Sequence, residues 1–208
     1  MNAVQVIRRL RPFVWALAAL ALIGILVLRA GAGNPSTGGA GEERVSAVDN
    51  TKPGLDRYPP GERVDAPTLE GTTLDGEPFA LADLAGNIVV INVWGSWCAP
   101  CRAETPDLVR VAKENASRRV RFVGINTRDN PAAAKAFVRS FNVPYPSVED
   151  AEGQLLLNFR NTIPTSVVPT TVVIDRRGQI AARIIGPVTY NTLKGLLDDE
   201  IAARGGGR

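Results

Sequence analysis

The chain has 208 residues, 45% hydrophobic and 22% charged, a globular composition with room for one domain plus appendages. Its formal charge of +3 does not mark a nucleic-acid binder: Arg8, Arg9, Arg11 and Arg29 precede residue 30, and the other 20 basic residues face all 21 acidic ones. The absence of histidine removes Ser-His and Cys-His nucleophile pairs, HExxH zinc sites and CxxCH haem attachment, and two cysteines alone make a four-ligand zinc site improbable, so no metal or cofactor is expected.

Residues 1–30 begin with arginines and continue in an apolar run from Pro12 to Leu28, closed by Arg29. The run has 17 residues, the short limit for a spanning helix. Two readings stand: a signal peptide, for which Ala30-Gly31-Ala32 offers a cleavage site, and an uncleaved anchor. Arg29 favours the anchor, since a charge between an apolar run and a cleavage site suits a helix end. The arginines at 8, 9 and 11 keep the N-terminus cytoplasmic, so the rest is expected outside: on a single-pass anchor, or secreted if the segment is cleaved. Residues 31–61 are rich in Gly, Pro, Ser, Thr and charge and read as a flexible tether before a domain over 62–208.

From Ala66 onward strand and helix signals alternate. "TLEGTTLDGEPFAL" predicts a hairpin around Leu74-Asp75-Gly76, and "NIVVINVWG" a buried strand leading into a helix from Cys98 to about Asn115. "VRFVGINT" is a second buried strand, Asn130 caps a helix opening at Pro131, and "EGQLLLNF" is a short helix. "TTVVID" and "QIAARIIG" form a hairpin across Arg176-Arg177-Gly178, and Thr189 caps a last helix with Leu193, Leu196, Leu197 and Ile201 on one face. This order predicts an α/β fold, a mixed sheet flanked by helices.

Both cysteines lie in "VWGSWCAPCRAETPDL", after a strand and at the start of a helix. That position gives Cys98 the unpaired N–H groups and dipole that favour a thiolate, so it is the expected nucleophile and the more exposed sulfur. Cys101 lies within one turn and resolves the mixed disulfide that Cys98 makes. Pro100 constrains the intervening loop and supplies no backbone donor. A structural staple competes with this redox reading, but so short a loop yields little entropic stabilisation, and a metal clip lacks ligands.

The string "NVWGSWCAPCRAETPDL", with "VPTTVVIDRRGQI" some seventy positions later, resembles the thioredoxin superfamily, specifically its TlpA/ResA-like extracytoplasmic thiol-disulfide oxidoreductases. The resemblance runs from about Ala66 to Arg204. It implies a thioredoxin-like fold with an N-terminal hairpin, a central insertion matching Pro131 to Phe159, and a cis proline facing the disulfide. Val168-Pro169 matches that proline; Pro164 is a rival by spacing but lacks the strand directly behind it. Val167 stands where many relatives have glycine.

Where thioredoxins carry a buried aspartate six residues before the first cysteine, this chain has Asn92, which does not titrate. The resemblance supplies Glu104 instead, three residues past Cys101 on the same helical face, as a proton acceptor for the resolving thiol. An ordinary solvated carboxylate is the plainer reading. Trp97 is expected on the rim of the disulfide with Pro100, Val168 and Pro169, and Trp94 in the core.

The resemblance further implies a reductant of protein disulfides, serving the CxxCH thiols of apocytochromes c and recharged by an integral-membrane thiol carrier. An oxidant or isomerase, a peroxide-reducing relative, a copper chaperone of the same fold and a redox-inert adaptor are the alternatives. Missing histidine argues against the copper chaperone.

Overall fold

The computed structural model describes residues 53–203. The apolar run at 12–28 and the start of the tether lie outside the described residues, among which no helix is long and apolar enough to cross a membrane.

A six-stranded sheet organises these residues. Strand β1 (Gly54–Arg57) lies at one edge, and the hairpin of β2 (Glu70–Thr72) and β3 (Pro78–Ala80) forms a separate pair, followed by a 3₁₀ turn at Leu81–Leu84. Then come β4 (Ile88–Trp94), helix α1 (Ala99–Asn115), β5 (Val120–Thr127), α2 (Pro131–Phe141), β6 (Ser147–Asp150) and the short α3 (Leu155–Asn158). The chain closes with β7 (Thr170–Ile174), β8 (Ile180–Ile185) and α4 (Tyr190–Ala202). The sheet order is β1-β8-β7-β4-β5-β6, with β4, β5 and β6 parallel and β7, β8 and β1 joined antiparallel.

Every residue of β4 is buried, as its unbroken apolar run requires of a central strand covered on both faces. Alternation sends Val89, Ile91 and Val93 into a core with Val123, Ile125, Leu156 and Phe159. Ile88 and Val90 point the other way, packing with Leu108 and Val111 of α1 and Leu193, Leu196 and Leu197 of α4. Asn92 belongs to this second row, which matters for the site.

The local signals predict the helix starts. Asn130 Oδ1 accepts from the N–H groups of Ala132 and Ala133, and Thr189 Oγ1 accepts from Thr192 N–H, so both caps satisfy orphan donors. The hairpin glycines Gly76 and Gly178 sit at φ of 92° and 83°, a region that L side chains avoid.

The tether reading needs a correction. Residues 54–57 fall within the stretch expected to be flexible, yet they form β1, paired with β8 from Gly54↔Ile185 to Arg57↔Ala182. Asp56 holds the guanidinium of Arg183, which is only 1% exposed within β8, at 2.6 Å. Arg63 is pinned likewise, to Asp175 at 2.9 Å and Glu200 at 2.6 Å. The ladder to β8 and these distant charges hold the segments, neither of which shows as apolar periodicity, so described structure is already in place at Gly54.

Candidate active site

Strand β4 delivers the chain to the site and α1 takes it away. Between them Gly95, Ser96 and Trp97 turn, and Cys98 becomes the N-cap of α1 with extended backbone (φ −84°, ψ 108°). Its Sγ accepts from the backbone N–H of Cys101 at 3.2 Å, one of the donors that a helix start leaves unpaired. Cys98 and Cys101 are joined as a disulfide, which rests on a cluster of Leu74, Trp94, Ala134 and Phe137.

Both sulfurs are more enclosed than the sequence implies: Cys98 is 3% exposed and Cys101 fully buried. The greater access expected at Cys98 is therefore small. Beside it, Trp97 is 56% exposed and Pro100 is exposed in the first turn. Trp94, by contrast, is buried, stacks 4.6 Å from Phe137 and donates through Nε1 to Ser147 Oγ.

Across from the disulfide, the Val168-Pro169 peptide is cis. The Val168 carbonyl oxygen lies 3.7 Å from Cys98 Sγ, with Val168 half-buried and Pro169 buried. Two bonds fix this loop: Thr170 Oγ1 donates to Val167 O at 3.0 Å, and Gly186 N–H donates to Pro169 O at 3.0 Å.

Glu104 lies one turn beyond Cys101 and is 3% exposed, so it is no solvated helix carboxylate. Its Oε1 accepts from Asn92 Nδ2 at 2.9 Å and its Oε2 from the Val188 N–H at 2.7 Å. Burial raises its pKa to about 7, against the downward pull of those two donors. Asn92 also donates to Thr171 Oγ1 at 3.1 Å, which fixes its amide between β7 and α1. The sequence marks Asn92 as non-titrating but misses its bond to Glu104; the available signal is its even position in β4, facing α1.

A second set of contacts went unread. Asp129, in the β5–α2 loop, accepts from Ser96 N–H and Oγ. Both residues are polar and in loops, and nothing local in the sequence pairs them. No group of three or more His, Cys, Asp or Glu able to hold a metal occurs among the described residues.

The arrangement is that of a helix-capping disulfide facing a cis proline, with a buried acid one turn behind. Against known families, the AhpC/TSA family model matches residues 63–183, more than half of the chain. The chain belongs to the AhpC/TSA family. This AhpC/TSA-family chain is similar to the thiol:disulfide interchange protein HelX of Rhodobacter capsulatus, 33% identical over 141 residues, 66% of this chain and 76% of HelX. It is 32% identical to the thiol-disulfide oxidoreductase ResA of Bacillus subtilis over 132 residues, 64% of this chain and 72% of ResA. Among solved structures, a thiol:disulfide interchange protein of the thioredoxin family from Chlorobium tepidum TLS aligns with TM-score 0.62 and 33% identity, over 67% of this chain and 97% of that one. The AhpC/TSA-family chain is thus a thiol-disulfide oxidoreductase of thioredoxin-like fold, as the resemblance implied.

Proposed function

We propose that this oxidoreductase reduces protein disulfides outside the cytoplasm, with Cys98 as nucleophile, Cys101 as resolver and Glu104 as the acceptor of the resolving proton. The observation that carries this reading is the placement of Cys98 Sγ at the helix cap, 3.2 Å from the Cys101 N–H, with a buried carboxyl of pKa about 7 one turn behind. In the dithiol form, that N–H and the helix dipole stabilise a Cys98 thiolate. The thiolate attacks one sulfur of the partner disulfide, and the other sulfur leaves with the electron pair and takes a proton from water. Cys101 then loses its proton to the Glu104 carboxylate and attacks Cys98 Sγ, expelling the second partner sulfur as a thiolate. Two electrons have passed to the partner, and the Cys98–Cys101 disulfide is restored. Trp97, Pro100, Val168 and Pro169 form the rim that meets the partner chain.

The CxxCH thiols of apocytochromes c are the proposed substrate, and an integral-membrane thiol carrier the proposed source of electrons. Both rest on the TlpA/ResA-like resemblance of the WCxxC and VPTT strings. The apolar run at 12–28 supports an N-terminal membrane anchor with the domain extracytoplasmic.

Trapping decides the roles of the sulfurs. Incubated with an oxidised CxxCH peptide, Cys101→Ser should accumulate a mixed disulfide and Cys98→Ser should not; trapping by Cys98→Ser alone, or equally by both, overturns the assignment. The equilibrium potential against glutathione decides direction, because a protein-oxidising enzyme has a strongly stabilised reduced form and a much less negative potential.

A further inference from the structure

The segment that carries the nucleophile is held by a carboxylate from another loop. Asp129 accepts four hydrogen bonds: at Oδ2 from Ser96 N–H (2.5 Å) and Asn126 Nδ2 (2.9 Å), and at Oδ1 from Ser96 Oγ (2.7 Å) and its neighbour's Asn130 N–H (2.8 Å). Two of the four reach Ser96, two residues before Cys98. Burial pushes the Asp129 pKa up, but the donors from Asn126, Ser96 and Asn130 outweigh it and hold the carboxyl below its ordinary value. The clamp is therefore charged at neutral pH, and charge-assisted bonds are the stronger kind.

The other bond at Ser96 is weaker: its carbonyl accepts from Arg102 Nη1 at 3.4 Å, an exposed contact, and Gly95 before it carries no side chain to pack. A Cβ on Gly95 would fall 2.5 Å from Trp97 Nε1, so the exposed indole lies directly over that glycine. Cys98 N–H donates to Gly95 O at 3.1 Å across this turn, so the position at which Ser96 is held contributes both to the pose of Trp97 and to the entry of Cys98 into α1. The same corner reaches the opposite wall of the site: Arg128, with φ of 50°, donates through Nη2 to Thr165 O at 2.8 Å, four residues before the cis proline.

We propose that Asp129 is a positioning residue for thiol-disulfide exchange, its carboxylate fixing Ser96 and thereby the approach of Cys98 and Trp97 to the partner disulfide. It touches neither sulfur and carries no proton in the reaction. Its contribution is geometric: sulfur attack is in line along the disulfide, and a nucleophile displaced by a fraction of an ångström loses rate without any change in its chemistry.

The experiment is a double-mutant cycle on the second-order rate at which the reduced full-length protein reduces a CxxC-disulfide peptide, with thermal unfolding of each variant in parallel. Asp129→Asn replaces one of the two acceptor oxygens with an amide donor and removes the charge, and should slow exchange about tenfold, while Ser96→Ala keeps the backbone bond and should slow it about threefold. Asp129→Asn combined with Ser96→Ala should be no slower than Asp129→Asn alone, because both act through one contact. Ser96→Thr restores the hydroxyl and should recover the wild-type rate, which a change in general stability would not do. A wild-type rate in Asp129→Asn overturns the proposal, as does a double variant whose loss is the product of the single losses. Should Asp129→Asn fail to fold, the serine pair decides: equal rates for Ser96→Ala and Ser96→Thr overturn the proposal, and rescue by threonine alone upholds it.

Discussion

Between about pH 4.5 and pH 7 the folded protein keeps a proton on Glu104 that the unfolded chain has already released. Over that window the native state binds more protons, so stability is greatest on the acidic side, falls by about 3 kcal/mol as pH rises, and levels off above the folded pKa. Glu104→Gln should abolish this slope in urea unfolding between pH 5 and pH 8; an unchanged slope would place its origin elsewhere. The downward-shifted carboxylates, Asp129 and Asp175 among them, do not interfere, because they lose their contribution only below the ordinary carboxylate range. A glutamine is tolerable there because the Asn92 amide can rotate to offer its oxygen, with the Thr171 hydroxyl donating in return. Asn92→Ala tests the pairing from the other side. Losing a donor that stabilises the anion should raise the Glu104 pKa further, and carboxyl-carbon NMR titration should read a midpoint above the wild-type value. A lowered or unmoved midpoint would mean that the Asn92 amide does not serve Glu104.

Strands and helices whose reasons are local could be read from the chain, while those whose reasons are distant could not. Asn130 and Thr189 announce their helices because a cap needs only its own next few residues. The β4 run announces a central strand because both its faces are apolar. β1 stayed hidden because its warrant is Arg183, more than a hundred residues away, and the bond between Asn92 and Glu104 needs the packing of α1 on β4. The Cys98 cap and the cis Val168-Pro169 were accessible, the first by position and the second by resemblance. β5 shows how tightly one strand supports the site. At Gly124 a Cβ would lie 2.3 Å from Ser147 Oγ and 2.6 Å from Trp94 Nε1, breaking the bond that seats Trp94 under the disulfide. Gly124→Ala should cost about 1–3 kcal/mol in denaturant unfolding and alter the near-UV aromatic signal, as overpacking of a close approach does. Wild-type stability would mean that the strands separate freely there.

For the molecule as a whole, β1 is more than a trailing end. Arg183 is buried at the centre of β8 and its charge is met by the half-exposed Asp56, with Thr162 O accepting a further bond. Asp56→Ala should cost about 1–2 kcal/mol, less than a fully buried pair because water reaches the carboxylate, and hydrogen exchange should quicken in β1 before the rest of the sheet. Uniform exchange would assign β1 to the same cooperative unit as the central strands. The register of β1 also fixes a direction. Val93, Thr170, Ile185 and Gly54 stand opposite one another across four adjacent strands, so Gly54 lies three strand spacings, about 14 Å, from the end of β4 that leads to Cys98. Gly54 therefore enters the sheet at its reactive end, not at its far side, and the first described strand begins on the same edge of the fold as the turn into Cys98.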